Sequence, residues 1–547
     1  MPSLSSSLRY WHTLKYLKPV QFYGRLWFRL ARPAPDLSDA APMRVTSGRW
    51  QHPVRRECSM MSARVLRFLG ETGDLSVLGW DNPRASKLWR YNLHYFDDLN
   101  AQGAPDRKAW HRQLITDWIT DNPPGLGSGW EPYPTSLRIV NWIKWALDGN
   151  TLSEQAHHSL AIQARWLTKR LEWHLLGNHL FANAKALMFA GLYFEGTEGA
   201  RFRQIAARIL AREIPEQILP DGGQFELTPM YHAIALEDIL DLSNLFFSYS
   251  VVLTAQEHAL QTLCTKRVPD MVHWLRCMSH PDGQISFFND AAFGIAPENS
   301  ELFALAARLG LTEPNPRQTR PMTHLRDSGY ARLESGPAVL LADLAQIGPD
   351  YLPGHAHADT LSFELSVFEQ RLFVNSGTSL YGIGKERLHQ RSTPAHNTVT
   401  VAGQNSSEVW SGFRVARRAV ISEVYLKYSD GVLVAHGSHD GYQRLPGAPR
   451  HKRQFSMSKS SLTISDLVVP ANPAEARYHL HPDIKFETTQ DGTWTFVFPG
   501  GQILHWIAPN ARVESTSWHP RFGESHPTTC LVVPLRDGRA EMILSWS

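Results

Sequence analysis

The stretch Gly354-His355-Ala356-His357-Ala358-Asp359-Thr360-Leu361-Ser362-Phe363-Glu364-Leu365 sets two histidines and an aspartate directly ahead of an alternating run. In that run Leu361, Phe363, Leu365 and Val367 alternate with Ser362, Glu364 and Ser366. A period of two reads as a half-buried strand with one apolar face. In an extended lead-in His355, His357 and Asp359 share one face, opposite Ala356 and Ala358. Three ionisable groups at a strand mouth suit metal binding or proton transfer, and a solvated polar loop is the plain alternative. A second histidine cluster, Thr393-Pro394-Ala395-His396-Asn397-Thr398, also runs straight into a strand, Thr398–Val401, and favours the functional reading.

Outward from this stretch the chain divides in two. On the C-terminal side come short alternating runs separated by turn residues: Ala338–Leu344, Leu361–Phe368, Ala419–Leu426, Val432–Ala435, Trp494–Phe498 and Met542–Trp546. They read as a large antiparallel β-sandwich. On the N-terminal side, from about residue 105 to 312, the apolar spacing is three and four, as in Leu160, Ala164, Leu167 and Leu171, or Met271, Val272, Leu275 and Met278. Many helical hairpins with short Pro/Gly/Asp punctuation imply an α/α bundle or toroid. Thr312-Glu313-Pro314-Asn315-Pro316-Arg317, with Pro321, is the linker candidate, because it stops helices without starting one. The expected organisation is an N-terminal arm and lead-in over 1–85, an (α/α) toroid over 86–316 and an antiparallel β-sandwich over 322–547.

Bulk properties narrow the function. At 547 residues the chain exceeds one ordinary core. A net charge of +3 with no Lys/Arg block argues against a nucleic-acid partner. Cys58, Cys264, Cys277 and Cys530 form no C-x-x-C pair, so neither a disulfide framework nor a cysteine zinc site is expected. Eighteen tryptophans could line a groove in which flat faces stack on sugar rings, although burial is their commoner role. Residues 1–30 scatter Arg9, Lys15, Lys18, Arg25 and Arg29 among aromatics, as in an amphipathic arm that could touch a membrane surface or dock on the protein's own body. No secretory leader is legible, which reads as cytoplasmic, and no run approaches the ~20 apolar residues of a transmembrane helix.

The helical half carries polar motifs of its own. Asn178-His179 opens a helix-like segment, Asp221-Gly222-Gly223-Gln224-Phe225-Glu226 precedes Tyr231-His232, and Trp130-Glu131-Pro132-Tyr133 precedes Arg138. Singly, Asn178 could be a helix cap, Tyr231 a core aromatic and Arg138 a structural ion pair. Taken in order with Gly354-His355-Ala356-His357-Ala358-Asp359 and Ala395-His396-Asn397-Thr398, they resemble the heparinase II/III-like polysaccharide lyases, with polysaccharide lyase family 12 the nearest group. That resemblance covers most of the chain. It implies a toroid joined to a sandwich, an active site in the cleft between them, and β-elimination on an acidic, uronate-containing polysaccharide.

By the same resemblance Asn178, with His179 beside it, neutralises the uronate carboxylate so that the enolate formed on loss of the C5 proton is stabilised. Tyr231 is the acid for the leaving O4 and could also serve as base, and His355 supplies a second base from the sandwich. Tyr381 stands near a further catalytic tyrosine. Trp130, Arg138, Glu226 and His232 are candidates for gripping substrate. Relatives hold a metal, usually zinc, through His, Asp and His. His357 and His396 match the histidines, and the aspartate position falls at Asn375, a poorer ligand, so that a structural zinc would be weakened, would recruit Asp359 or would be absent. Such a metal would brace loops, since elimination needs no activated water. Relatives that degrade external polymer are exported, which makes the periplasm the alternative compartment. Balanced charge favours a non-sulfated exopolysaccharide. Rival readings are a uronate C5-epimerase on the same scaffold, a non-catalytic polysaccharide-binding protein, and a toroid glycoside hydrolase using Glu131 and Glu226.

Overall fold

A computed structural model describes residues 4–312, 320–489 and 493–546. Of the linker candidate only Thr312 and Pro321 are among the described residues, and Glu313–Arg317 lie outside them. Helices dominate the first half. Two helices, Leu4–Leu14 and Pro19–Leu30, form the arm. A small hairpin, Val65–Phe68 with Glu71–Asp74, follows the irregular lead-in. The toroid is built from helices at Lys108–Asp121, Pro132–Leu147, Glu154–Lys169, Gly177–Tyr193, Gly196–Gln217, Pro229–Ser248 and Ala255–Cys277, with Lys87–Tyr95 and Asn299–Arg308 at its ends. Their apolar stripes meet in one core, in which Trp118, Trp142 and Trp145 are fully buried. Most of the tryptophans are therefore core residues, and Trp11 and Trp27 are the strongly exposed ones among the described residues.

The second half is antiparallel throughout. A five-stranded sheet (Met322–Leu325, Tyr330–Ser335, Ala338–Asp343, Phe363–Val367, Gln370–Phe373) shares one core with an eight-stranded sheet and a four-stranded sheet. The fold is thus a helical toroid followed by a β-sandwich.

Two strands fasten the halves together. Ala338–Asp343 is apolar at nearly every position because both faces are covered. Leu340 and Ala342 pack into the sandwich, whereas Val339 and Leu341 pack on Trp274, Met278 and Phe288 of the toroid. The neighbouring strand Phe363–Val367 corrects the half-buried expectation: every residue in it is buried. Its apolar face enters the sandwich core, and its polar face lies against the toroid. There Glu364 Oε2 accepts from His280 Nε2 at 2.8 Å, and Ser366 Oγ meets His280 Nδ1 at 2.7 Å. Alternation showed two unlike faces correctly, but not that a second domain covers the polar one.

Candidate active site

The cleft between the halves is assembled from helix beginnings on one side and extended loops on the other. Tyr231 sits in the first turn of Pro229–Ser248, where Thr228 Oγ1 caps the helix by accepting from the Tyr231 N–H at 2.9 Å. Just upstream, Gly222 holds φ +91° in the turn, and an added Cβ there would lie 2.3 Å from the Asp270 carbonyl, so only glycine fits. That turn delivers Glu226, which is buried, with Oε1 near the Gln224 amide and Oε2 unpartnered. Asn178 and His179 open the helix Gly177–Tyr193. Gly177 carries φ +53°, and a Cβ there would strike Leu352 at 2.3 Å and come within 3.8 Å of Glu226 Oε1. The start of this helix therefore borders Glu226.

From the sandwich side, Arg391 holds the backbone of the histidine stretch through Nε and Nη2 to the Ala356 carbonyl (3.1 and 2.8 Å). His355 Nδ1 meets Asp290 Oδ2 at 2.9 Å, and its Nε2 lies 3.6 Å from Glu226 Oε2. The Tyr231 ring stacks on His355 at 4.0 Å between centroids, and the Tyr231 and Tyr381 hydroxyls are 3.0 Å apart. Glu226, Tyr231, His355 and Tyr381, which lie far apart in sequence, are thereby brought together.

Asp290 is the hub that sequence reasoning missed. It is fully buried. Its Oδ2 takes His355 Nδ1 and Arg387 Nη2 (2.7 Å), and its Oδ1 takes His357 Nε2 (2.8 Å), Arg387 Nη1 and Thr378 Oγ1. Burial alone would raise its pKa, but Arg387 and the two histidines hold it well below the usual carboxylate range. An ionised Asp290 fixes a proton on His355 Nδ1 and leaves Nε2 as the lone pair facing Glu226. The adjacent Asn289 ties three segments together: its N–H donates to Asp359 (3.1 Å), its amide to the Leu227 carbonyl (2.8 Å), and its Oδ1 accepts from the His357 N–H (2.9 Å). The available signal was a polar pair set in the apolar run Ile285-Ser286-Phe287-Phe288-Asn289-Asp290-Ala291-Ala292.

Ionisation follows burial. The Tyr231 hydroxyl is pushed well above its ordinary value by burial and then by Tyr381, and Tyr381 is pushed up by burial and then by Asp290. Both are proton donors at neutral pH. Burial also raises Glu226. For His179, burial works downward, but the Glu172 carboxylate at 3.1 Å outweighs it and the ring's pKa is raised.

Three predicted substrate residues are corrected. Trp130 is 3% exposed, its indole donates to the Asn122 carbonyl, and its ring packs on Trp118. Arg138 is fully buried against Gln163, the His94 carbonyl and the Trp118 face. His232 is fully buried, with Nε2 on the Met271 carbonyl (2.9 Å) and Nδ1 accepting from the Gln224 N–H (3.2 Å). All three are wall residues: a sugar cannot reach them. Glu131, the other carboxylate of the hydrolase reading, is engaged by Lys87 and Tyr91.

The metal expectation changes in one member. His357, Asp359 and His396 offer donor atoms within 4.8 Å of one another, all buried. Asn375 Oδ1 is on the opposite side of His396: it accepts the Asn397 N–H (3.3 Å) and so takes a proton from His396 Nδ1 (3.2 Å). Asp290 likewise takes the proton of His357 Nε2. The remaining nitrogens, His357 Nδ1 and His396 Nε2, are 3.2 Å apart with lone pairs facing, and burial lowers the two rings to about 4 and about 3. Two facing lone pairs beside a carboxylate suit a cation, with Asn375 orienting a ligand rather than serving as one.

Beside Tyr231 and Tyr381 a cavity of about 540 Å³ opens, lined also by Tyr95, Tyr133, Lys144 and Lys185. Its lining holds six lysines and arginines against seven aspartates and glutamates, and most of the cations are paired, as Arg56 with Glu237 and Lys185 with Asp238 and Asp241.

Comparison with known families agrees with this architecture. Residues 103–301 match the heparinase II/III N-terminus and residues 317–547 the heparinase II/III-like C-terminal domain. The chain belongs to the heparinase II/III-like polysaccharide lyases. Among curated relatives, FtsZ-localized protein C of Caulobacter vibrioides is 24% identical over 474 residues, covering 81% of this chain and 77% of that protein. A heparin-sulfate lyase of Bacteroides stercoris is 28% identical over 255 residues, covering 43% of this chain. The match spans only 37% of that lyase's length. Among solved structures, a mutant heparan sulfate lyase from Pedobacter heparinus superposes with a TM-score of 0.59 at 20% identity, covering 88% of this chain and 81% of that one. That likeness establishes the fold of this family member.

Proposed function

We propose that this protein cleaves a uronate-containing polysaccharide by β-elimination. The observation that carries the proposal is His355 Nε2, bared by the Asp290 contact to Nδ1, with the protonated Tyr231 stacked on the ring. His355 takes the C5 proton, and the Asp290 carboxylate stabilises the imidazolium that forms. Tyr231, in contact with Tyr381, gives its hydroxyl proton to the departing O4. This division of labour follows from burial, which keeps both tyrosines protonated. Asn178, which has no side-chain hydrogen bond within the described residues, and His179, whose pKa Glu172 raises, neutralise the uronate carboxylate as the enolate develops.

The near balance of charge around the cavity supports a substrate with few or no sulfates, since dense sulfation would call for unpaired arginines and lysines. His357, Asp359 and His396 would hold a zinc-type ion, which when bound supplies a fixed positive charge that ties the two histidine loops together. Asp290 connects that cage to His355 without placing the ion in the reaction.

The test is absorbance of a 4,5-unsaturated uronate as the protein meets a panel of sulfated and non-sulfated acidic polysaccharides. Rising absorbance on a non-sulfated polymer, lost in Tyr231→Phe and His355→Ala, is the expected result. Solvent deuterium entering at C5 without chain cleavage would replace elimination by epimerisation.

A further inference from the structure

We infer that the N-terminal arm, Leu4–Leu30, is a docking surface for an anionic lipid bilayer. The inference is independent of the lyase reading. The helix Pro19–Leu30 is turned the wrong way for a soluble arm. It faces the body with Gln21, Gly24 and Phe28: the Gln21 amide donates to the Tyr351 carbonyl (3.1 Å), a Cβ on Gly24 would lie 3.2 Å from His174, and Phe28 meets the His174 ring at 4.3 Å. Its large apolar residues face out. Tyr23, Leu26, Trp27 and Leu30 are 61–72% exposed, and with Phe22 they fall at spacings of four along one stripe. On the first helix Leu8, Trp11 and Leu14 are also exposed, at spacings of three. A patch of this size and order on a soluble protein marks an interaction surface.

Charge selects the partner. No Asp or Glu precedes Asp36, whereas Arg9, Lys15, Lys18, Arg25, Arg29 and Arg32 all lie in that stretch. Arg25 and Arg29, four apart, flank the apolar stripe. A cavity of about 590 Å³ beside Tyr23 and Trp27 is lined also by Lys169, Arg170 and Arg212. Glu216, which pairs with Lys18, is the single carboxylate among its described lining residues, and Arg212 pairs with Glu213. Trp and Tyr at the edge of an apolar stripe with cations alongside is the composition that settles at the headgroup level of an anionic membrane. A second copy docking by the same face would set its cations against these. A hydrated polysaccharide has no use for the exposed leucines. The arm is held by its inward side, with Trp410 donating to Thr13 (3.1 Å) and Arg418 over the Tyr16 ring (3.9 Å), so docking needs no rearrangement.

The experiment is co-sedimentation of the full chain with vesicles of phosphatidylcholine, with and without phosphatidylglycerol. Binding is expected on the phosphatidylglycerol vesicles only, weakening as salt rises. Arg25→Gln with Arg29→Gln should lower the partition coefficient roughly 25-fold, at about fivefold per cation. Trp27→Glu with Leu30→Glu should abolish sedimentation with an unchanged melting temperature, since both residues are exposed. Equal binding to both vesicle types, no binding to either, or undiminished binding by Trp27→Glu with Leu30→Glu would overturn the proposal. A concentration-dependent dimer that ignores vesicles and is lost in that double variant would assign the face to a second copy instead.

Discussion

Arg138 and Arg387 are both guanidinium groups with no exposed surface, yet they belong to different kinds of region. Around Arg138 every partner is neutral: Gln163, the His94 carbonyl, Thr135 and the face of Trp118. Burial there pushes the guanidinium well below its ordinary pKa, and the tryptophans close the space. Around Arg387 burial works downward too, but Asp290 outweighs it, and the same carboxylate also holds His355 and His357. The difference teaches where to look for function. A buried cation ending on neutral groups fills a wall, whereas one that fixes an anion shared with histidines sets the direction of lone pairs at the cleft.

The strongest way to break the comparison is Asp290→Asn. It leaves Arg387 buried without its anion, so unfolding stability should fall by about 3–5 kcal/mol. The His355 tautomer is no longer fixed, so turnover should fall by roughly 10³-fold. Thermal melts and product absorbance read the two effects separately. His355→Ala and Tyr231→Phe should each cost about 10²–10⁴ in turnover while the melt hardly moves. An unchanged rate in either would remove that group from the reaction.

Arg138→Ala is the counterpart in the wall. The void beside Trp118 should cost about 2–4 kcal/mol of stability, with the turnover of the folded fraction near wild type. A selective rise in KM would return Arg138 to the substrate site. Adding Zn²⁺ should raise the wild-type melting point, by about 2.7 kcal/mol of stability at a hundredfold excess over Kd. The rise should vanish in His396→Ala and survive in Asn375→Ala, which alters only the far side of that ring.

A pH slope is shared by three buried histidines that stay neutral in the folded chain. Burial lowers His94, His232 and His479 to about 3 from 6.5. Between those values the unfolded chain binds protons that the folded chain refuses, so stability should drop as pH falls from 6.5 toward 3. Above 6.5 both states hold the rings neutral and these groups contribute no slope. Melts from pH 4 to 8 in His232→Gln, which cannot titrate, should show a shallower fall.

Much of this was legible in local pattern. Spacings of three and four announced the toroid and alternation announced the sandwich, because each records which side of one element meets a core. Asn178 and Tyr231 stand out only through the resemblance of their ordered motifs to a known family, whereas the His355 stretch stands out locally as ionisable groups at a strand mouth. Burial of the polar side of Phe363–Val367 could not be read, since its cover comes from His280, more than eighty residues away. The same limit set Trp130, Arg138 and His232 wrongly in the cleft.

The sequence by itself determined the order of the two folds, the strand behind the histidines and the unbroken positive charge of the arm, all of them properties of neighbouring residues. Only the tertiary structure decided that Asp290 is the hub, that His357, Asp359 and His396 converge while Asn375 lies on the far side of His396, and that the arm turns its apolar side outward. The physical reason is that a carboxylate, an imidazole or a leucine acquires its role from what faces it across space. Those facing groups come from segments that chain order keeps far apart.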